Sequence, residues 1–358
     1  MGRLSRAQAQ ARNRARVLAA AREEFIERGF RDARIDDIAE RAELTRGAVY
    51  SNFPGKRALY FAVLAEDAEA APEPPHPPPA ASAREALGGF GRAFLARLPL
   101  ATDEQDSAAQ LGMDLMPEVL AYEQTRRPFA QLMQLDAILL GLALERLQRP
   151  ATPARRLVRV AGVALTALHG AGQMAAAAPG FGDPFDVVSA CEQLADLGLD
   201  DAWEPPHLPY VSQARPVDQP WSPPPVVDAL RGAPASLTGD GVVAVLGLHR
   251  LGAVEEAVRA APPGTDVTAV LVTSAADELG PLARLNVAEL RGCLRQAFPP
   301  PAWPPLGVVL DEAVAVAAAA GVPTVSDDTE TAVRIRAGRV VARADGFGAC
   351  HAAASARR

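Results

Sequence analysis

Residues 34–61 leave this chain few choices of fold. A short amphipathic segment, Ile35 to Ala42, meets a three-residue turn, Glu43-Leu44-Thr45, and a second short helical segment follows with Arg46, Tyr50, Ser51 and Asn52. Two short helices joined by so tight a turn have the helix-turn-helix layout, whose second helix fits the major groove of DNA. Upstream, Leu18, Ala21, Phe25 and Ile26 form an apolar stripe at helical spacing. Ile38, Ala39, Ala42, Leu44, Val49 and Phe53 supply the rest of a small three-helix core.

The polar positions divide by chemistry. Thr45 stands at an N-cap position, where a hydroxyl satisfies an orphan amide of the second helix. Arg46 projects from that helix start, and a guanidinium forks onto guanine O6 and N7. Gly47 and Ala48 are small enough to let backbone approach the groove floor. Tyr50 and Asn52 suit phosphate contacts, which set register without reading sequence, and Ser51 and Arg34 are further candidates. Lys56, beside Pro54-Gly55, joins an ammonium to free amides at a helix start and is expected to form a phosphate site.

With Gly29-Phe30, Thr45-Arg46-Gly47, Tyr50, Phe53 and Lys56-Arg57-Ala58-Leu59, the segment closely resembles the N-terminal domain of tetracycline-repressor-like (TetR family) transcriptional regulators. The run from Arg16 to Phe25 resembles that family's first helix, and specific motifs cover about the first 65 residues. Two positions depart from the pattern. Arg34 replaces a helix-capping Thr, and a guanidinium cannot accept an amide hydrogen bond. Glu43 replaces a turn Gly, at a cost of roughly 1 kcal/mol if the turn is left-handed. The resemblance implies a homodimeric, ligand-responsive repressor. Its expected partners are a palindromic double-stranded DNA operator and a small-molecule effector that the sequence does not identify. It implies no cofactor, and no catalytic or metal-binding residue is expected.

The net charge of −7 argues against nucleic acid until its distribution is examined. Residues 1–60 carry a balance of +5 and the remainder −12; six Arg and no acid precede Glu23, which is expected to form a basic N-terminal arm. Cys191, Cys293 and Cys350 lie far apart without metal or Cys-x-x-Cys spacing, as in a reducing compartment. The opening residues lack the apolar core of a secretory signal, and a cytoplasmic location is expected. Val160 to Ala178 is apolar, but it contains His169 and Gln173 and fits a packed interface helix better than a membrane span.

Six prolines between Pro72 and Pro79 predict a stiff spacer. Residues 82–200 follow as an all-α ligand-binding and dimerisation domain, with helices expected at 82–98, 103–121, 126–148, 153–177 and 184–198. Gly162, Thr166, Gly170 and Gln173 share one helix face and favour close pairing of helices. A cavity is expected among the preceding helices, lined by some of Phe90, Phe94, Met113, Met116, Tyr122, Phe129 and Met133. His169 is expected to be a hydrogen-bonded interface residue, or to join that pocket, rather than to ligate a metal.

Residues 201–236, with nine prolines, are expected to form an extended linker. Beyond it, residues 237–350 read as an α/β domain. Val242–Leu246, Val267–Val272 and Gly307–Leu310 are strand-like. A helix runs from Glu312 to Ala320, and Ala332–Ile335 and Arg339–Arg343 form a hairpin around Ala337-Gly338. Asp311, Gly321-Val322-Pro323-Thr324 and Gly338-Arg339-Val340 weakly resemble a thioredoxin-like fold, in which that proline is cis. The reactive Cys-x-x-Cys would fall on Leu251-Gly252-Ala253-Val254, which has no thiolate. The expected whole is multidomain: an all-α helix-turn-helix domain (1–65), an α-helical sensing domain and an α/β domain. The alternative is a DNA-binding fusion whose last domain is a redox sensor or enzyme.

Overall fold

The computed structural model describes residues 5–72, 80–98, 111–148, 155–199, 201–205 and 211–356. Most of the proline spacer, and much of the helix expected at 103–121, lie outside these residues.

The first helix, α1 (Arg6–Asp32), opens on a capping box: Ser5 Oγ accepts from the Gln8 amide at 3.2 Å while Gln8 Oε1 accepts from the Ser5 amide at 2.9 Å. The basic segment expected to form an N-terminal arm is helical from Arg6 onward. Gly29, at φ 71°, breaks the helix before its last turn, a conformation a Cβ would disfavour. Then come α2 (Ile35–Arg41), α3 (Arg46–Tyr50) and α4 (Lys56–Ala70). Phe25, Phe30, Tyr60 and Phe61 build an aromatic core, with Phe25 edge-on to Tyr60 at 5.3 Å.

The second layer holds α5 (Ala83–Leu95), α6 (Leu115–Leu120), α7 (Glu123–Glu145), α8 (Val158–Ala177) and α9 (Pro184–Leu194). Here α7 and α8 run close together because Gly141 has no side chain: a Cβ there would sit 2.6 Å from Val158 Cα.

The third part is a six-stranded sheet. Its strands are β1 (Arg215–Pro220), β4 (Gly241–Gly247), β5 (Asp266–Val272), β6 (Gly307–Leu310), β7 (Glu330–Arg336) and β8 (Arg339–Asp345), in the order β1-β8-β7-β4-β5-β6. A small antiparallel pair, β2 (Val227–Asp228) and β3 (Ala233–Pro234), stands apart. Strands β4, β5 and β6 are parallel, with Val245 opposite Val270 and Val270 opposite Val309. The hairpin β7–β8 lies antiparallel on the other side of β4 and turns at Ala337-Gly338, both at positive φ. The connecting helices are α10 (Val254–Ala260), α11 (Ala276–Ala297), α12 (Ala315–Ala319) and the terminal α13 (Ala349–Ser355).

Two expectations fail in this part. The segment 201–236 is not a simple linker, because β1 pairs with β8 (Gln219 opposite Val340) and Trp221 Nε1 donates to the Leu237 carbonyl at 2.6 Å. Proline is tolerated in β1 because it is an edge strand. The Val322–Pro323 peptide is trans, since no cis bond occurs among the described residues. The thioredoxin-like resemblance thus loses its proline feature. What stands is a mixed α/β sheet.

That sheet is buried on both faces. Val242, Ala244 and Leu246 face a core that is continuous with the helical layers; Val243 and Val245 face a second core with Trp221, Val316 and Ala317. The domains are therefore fused. Helix α11 packs along α4 and α5, and Ala58 to Ala65 of α4 are all buried. At the other seam, Arg156 pairs with both Asp201 and Glu255, and Arg259 bridges Glu145 and Glu255.

Candidate functional site

The turn between α2 and α3 forms as the residues dictate. Thr45 Oγ1 accepts from the Ala48 amide at 3.2 Å and so caps α3. Glu43 adopts φ 51°, the left-handed geometry usually left to glycine, and reaches Arg16 at 2.6 Å. Arg34 occupies the N-cap of α2 and makes no side-chain cap bond. Val49 is turned inward, fully buried, which sets the opposite face of α3 outward.

That outward face carries Arg46, Gly47, Tyr50 and Ser51, with Thr45 and Arg34 also exposed. Tyr50 is 43 % exposed, and the Arg46 guanidinium lies 5.6 Å from its ring. Arg46 also stands 3.4 Å from Asp36, and Tyr50 followed by Asp36 hold its proton above the usual range. This exposed pair is weak and gives way readily to another anion.

Three expected contacts have other engagements. The Lys56 ammonium donates to the carbonyls of Phe30 (2.7 Å), Ala33 (3.0 Å) and Arg31 (3.2 Å). All its hydrogens close the end of α1, so its expected role as a phosphate site is corrected to a structural one. Ser51 Oγ and Asn52 Nδ2 both donate to the Ala48 carbonyl, at 2.9 and 2.8 Å, which leaves Asn52 capping α3.

Behind the helix-turn-helix lies a cavity of about 480 Å³. Of the expected lining residues, Phe94, Met113, Met116, Met133 and His169 border it, as do Phe90 and Phe129. Tyr122 does not: it is half exposed and lies under the Arg57 guanidinium at 4.1 Å. His169 stacks on Phe94 with centroids 5.0 Å apart. Its Nδ1 is buried with no hydrogen-bond partner among the described residues, so the bond expected there is absent. Burial, then Arg97, holds its imidazole below the usual range.

Sequence reasoning missed the polar end of this cavity. Asp136, buried on α7, accepts from Asn286 Nδ2 of α11 at 2.8 Å. Burial raises its carboxyl well above the ordinary range, against the pull of that hydrogen bond. No local signal marks Asn286, because its neighbour lies 150 residues away.

The cavity segment 111–116 also touches the helix-turn-helix directly. Tyr60 Oη donates to the Leu111 carbonyl at 2.5 Å, and Asp114 Oδ2 accepts from the Phe30 amide at 2.7 Å.

Helix α8 is long and apolar enough to cross a membrane, with mean hydropathy 1.2. Its Val160, Ala161, Ala164, Leu165 and Leu168 are buried against the protein, whereas Thr166, Gly170 and Gln173 are exposed. Gly162 instead faces Ala137 of α7 and leaves the expected stripe. Phe181, in the turn before α9, and Phe185, on α9, are 76 and 81 % exposed.

All three thiols are buried; burial pushes Cys191 and Cys293 to about 11 and Cys350 well above its ordinary value. Leu251 to Val254, where a reactive pair would fall, begin a helical turn. Asp311 Oδ1 and Oδ2 cap α12 through the Ala315 and Ala317 amides at 2.9 and 2.8 Å.

Residues 17–63 match the family of bacterial regulatory proteins described as the tetR family. Over 65 residues the chain is 46 % identical to the HTH-type transcriptional regulator SrpR of Pseudomonas putida, covering 18 % of this chain and 30 % of that protein. Over 51 residues it is 43 % identical to the HTH-type transcriptional activator FasR of Mycolicibacterium smegmatis, covering 14 and 23 %. The chain thus spans less than a third of the length of these two relatives. Its backbone also aligns with that of NalD, the secondary repressor of a multidrug efflux pump in Pseudomonas aeruginosa. That match has 20 % identity, covers 51 % of this chain and 93 % of that one, and has a TM-score of 0.32, too low to carry weight. Matched motif and observed helix-turn-helix coincide: over residues 17–63 the chain is similar to the tetR family of bacterial regulatory proteins.

Proposed function

We propose that the protein is a sequence-specific, double-stranded-DNA-binding transcriptional regulator that acts as a homodimer and answers to a small molecule. The observation that carries this reading is the outer face of α3. Arg46, Gly47, Tyr50 and Ser51 are exposed together on a short helix whose start is capped and whose back is buried. In the groove, Arg46 exchanges Asp36 for a guanine edge, and Tyr50 and Arg34 meet phosphates.

One such helix reads few base pairs, so a twofold pair on a palindrome is required for specificity. Thr166, Gly170, Phe181 and Phe185, exposed on and between the last two helices of this layer, are the residues proposed to meet in that pairing. Effector binding in the cavity shifts segment 111–116. Its bonds to Phe30 and Tyr60 pass the shift to α1 and α4, changing the spacing of the two recognition helices. Activity on DNA places the protein in the cytoplasm.

The test uses duplexes recovered by the purified protein from a random-sequence pool, measured by fluorescence anisotropy. Arg46→Ala is expected to weaken binding by about 1–3 kcal/mol and relax preference at one base position while the thermal transition is unchanged. Wild-type affinity and preference in that variant would remove α3 as the reading element.

A further inference from the structure

The cavity has a wall that the helical domain does not supply. Leu285, Asn286, Glu289, Cys293 and Gln296 border it from α11, opposite Phe94, Met133 and His169. The C-terminal α/β domain therefore closes a space that would otherwise be open between α5, α7 and α8.

The ionisable groups around the cavity are already engaged. Asp136 holds Asn286 at 2.8 Å, and Arg97 Nη1 donates to the Glu289 carbonyl at 2.8 Å. Asp67 binds Arg22, and Glu69 binds Arg284. Arg291 and Arg295 have partners as well. An ionic ligand would have to compete with one of these pairings for its counter-charge, and would leave the displaced partner unpaired. Apart from the Gln173 and Gln296 side chains, the remaining lining is chiefly apolar, with Phe90, Phe94, Phe129, Met113 and Met133 supplying rings and thioethers. The His169 ring is held by stacking on Phe94, and among the described residues its buried Nδ1 has no hydrogen-bond partner. A single hydroxyl or secondary amine on a ligand would complete it.

The geometry points to a composite site, shared between the helical domain and α11, for a neutral, ring-bearing apolar molecule with one hydroxyl or secondary-amine group directed at His169 Nδ1. It rests on the ligand-responsive reading above and adds to it the chemical class of the ligand and the part played by the α/β domain. The volume of about 480 Å³ suits a molecule of ordinary drug size.

The probe is N-phenyl-1-naphthylamine, a neutral diarylamine that fluoresces on leaving water. Its counterpart is 8-anilinonaphthalene-1-sulfonate, which carries the same two ring systems and a negative charge. Both are titrated into the full chain. The neutral amine is expected to saturate one site per chain and to bind about tenfold tighter than the sulfonate. Ala288→Trp and Gln296→Trp fill the cavity from α11, and Met133→Trp fills it from α7; each that melts cooperatively is expected to weaken the amine by about tenfold. His169→Phe keeps the stack on Phe94 and is expected to weaken it about threefold.

Unchanged affinity in the folded α11 variants, with loss in Met133→Trp, would confine the site to the helical domain. That would overturn the composite site while the ligand-responsive reading stood. Equal or tighter sulfonate binding would overturn the neutral class. An unchanged constant in His169→Phe would remove the proposed hydrogen bond. If neither probe saturated the wild-type chain, the composite site and the ligand-responsive reading would fall together.

Discussion

Asp136 shows how one side chain can set a pH dependence. Its carboxyl is buried, so the protonated form is favoured in the folded state and its proton affinity there exceeds that of the unfolded chain. Its contribution to stability is complete below the unfolded value of 3.8 and is lost as pH rises through the raised folded value. Asp136→Asn keeps an acceptor for Asn286 and removes the ionisation. We expect the variant to melt about 2 °C above wild type at pH 8, with a smaller gain at pH 5. Equal shifts at both pH values in calorimetry would show that burial of this acid is not what is being relieved. None of this was legible in the sequence, where Asp136 is one acid on an otherwise amphipathic helix. By contrast, the exposed set Arg46, Gly47 and Tyr50 was legible, because a tight turn and a buried Val49 fix which way a five-residue helix faces.

At the scale of elements, apolar spacing of 3.6 or 2 pointed to most of the described helices and to the five later strands, but not to the terminal α13 beyond the hairpin. It failed for β1, whose Pro216 and Pro220 mimic a linker, because an edge strand needs only half of its backbone hydrogen bonds. It failed for Lys56 for a different reason. The ammonium closes the last turn of α1 from the start of α4, and such a link between helix ends leaves no pattern in either. Lys56→Met should cost about 1–3 kcal/mol in chemical denaturation by orphaning those carbonyls. The salt dependence of DNA affinity should keep its slope, whereas loss of a phosphate contact would lower that slope by about one. A reduced slope with unaltered stability would restore the phosphate role.

For the whole molecule, the three sequence regions share one continuous core rather than hanging from linkers. The six-proline stretch and the proline-rich 201–236 argued for separable domains, but composition reports chain stiffness and says little about which faces later meet. A chain ended at residue 205 would bare the side of α4 and α5 that α11 covers. It is expected to melt at least about 5 °C below the full chain and to self-associate in sedimentation. A truncated form that stayed monodisperse with an unchanged melting temperature would show that the α/β domain is an independent appendage.

Because Ala58 to Ala65 of α4 are all buried, the reader is not expected to be exchangeable as a cassette. A relative's first sixty-odd residues grafted onto this body would bring a fourth helix with other side chains along the seam with α11. The join along Glu278 and Arg284, which here receive Arg57 and Glu69, would be left without counterparts. Specificity in this lineage is therefore expected to drift by changes on the outer face of α3, with the seam inherited as a unit.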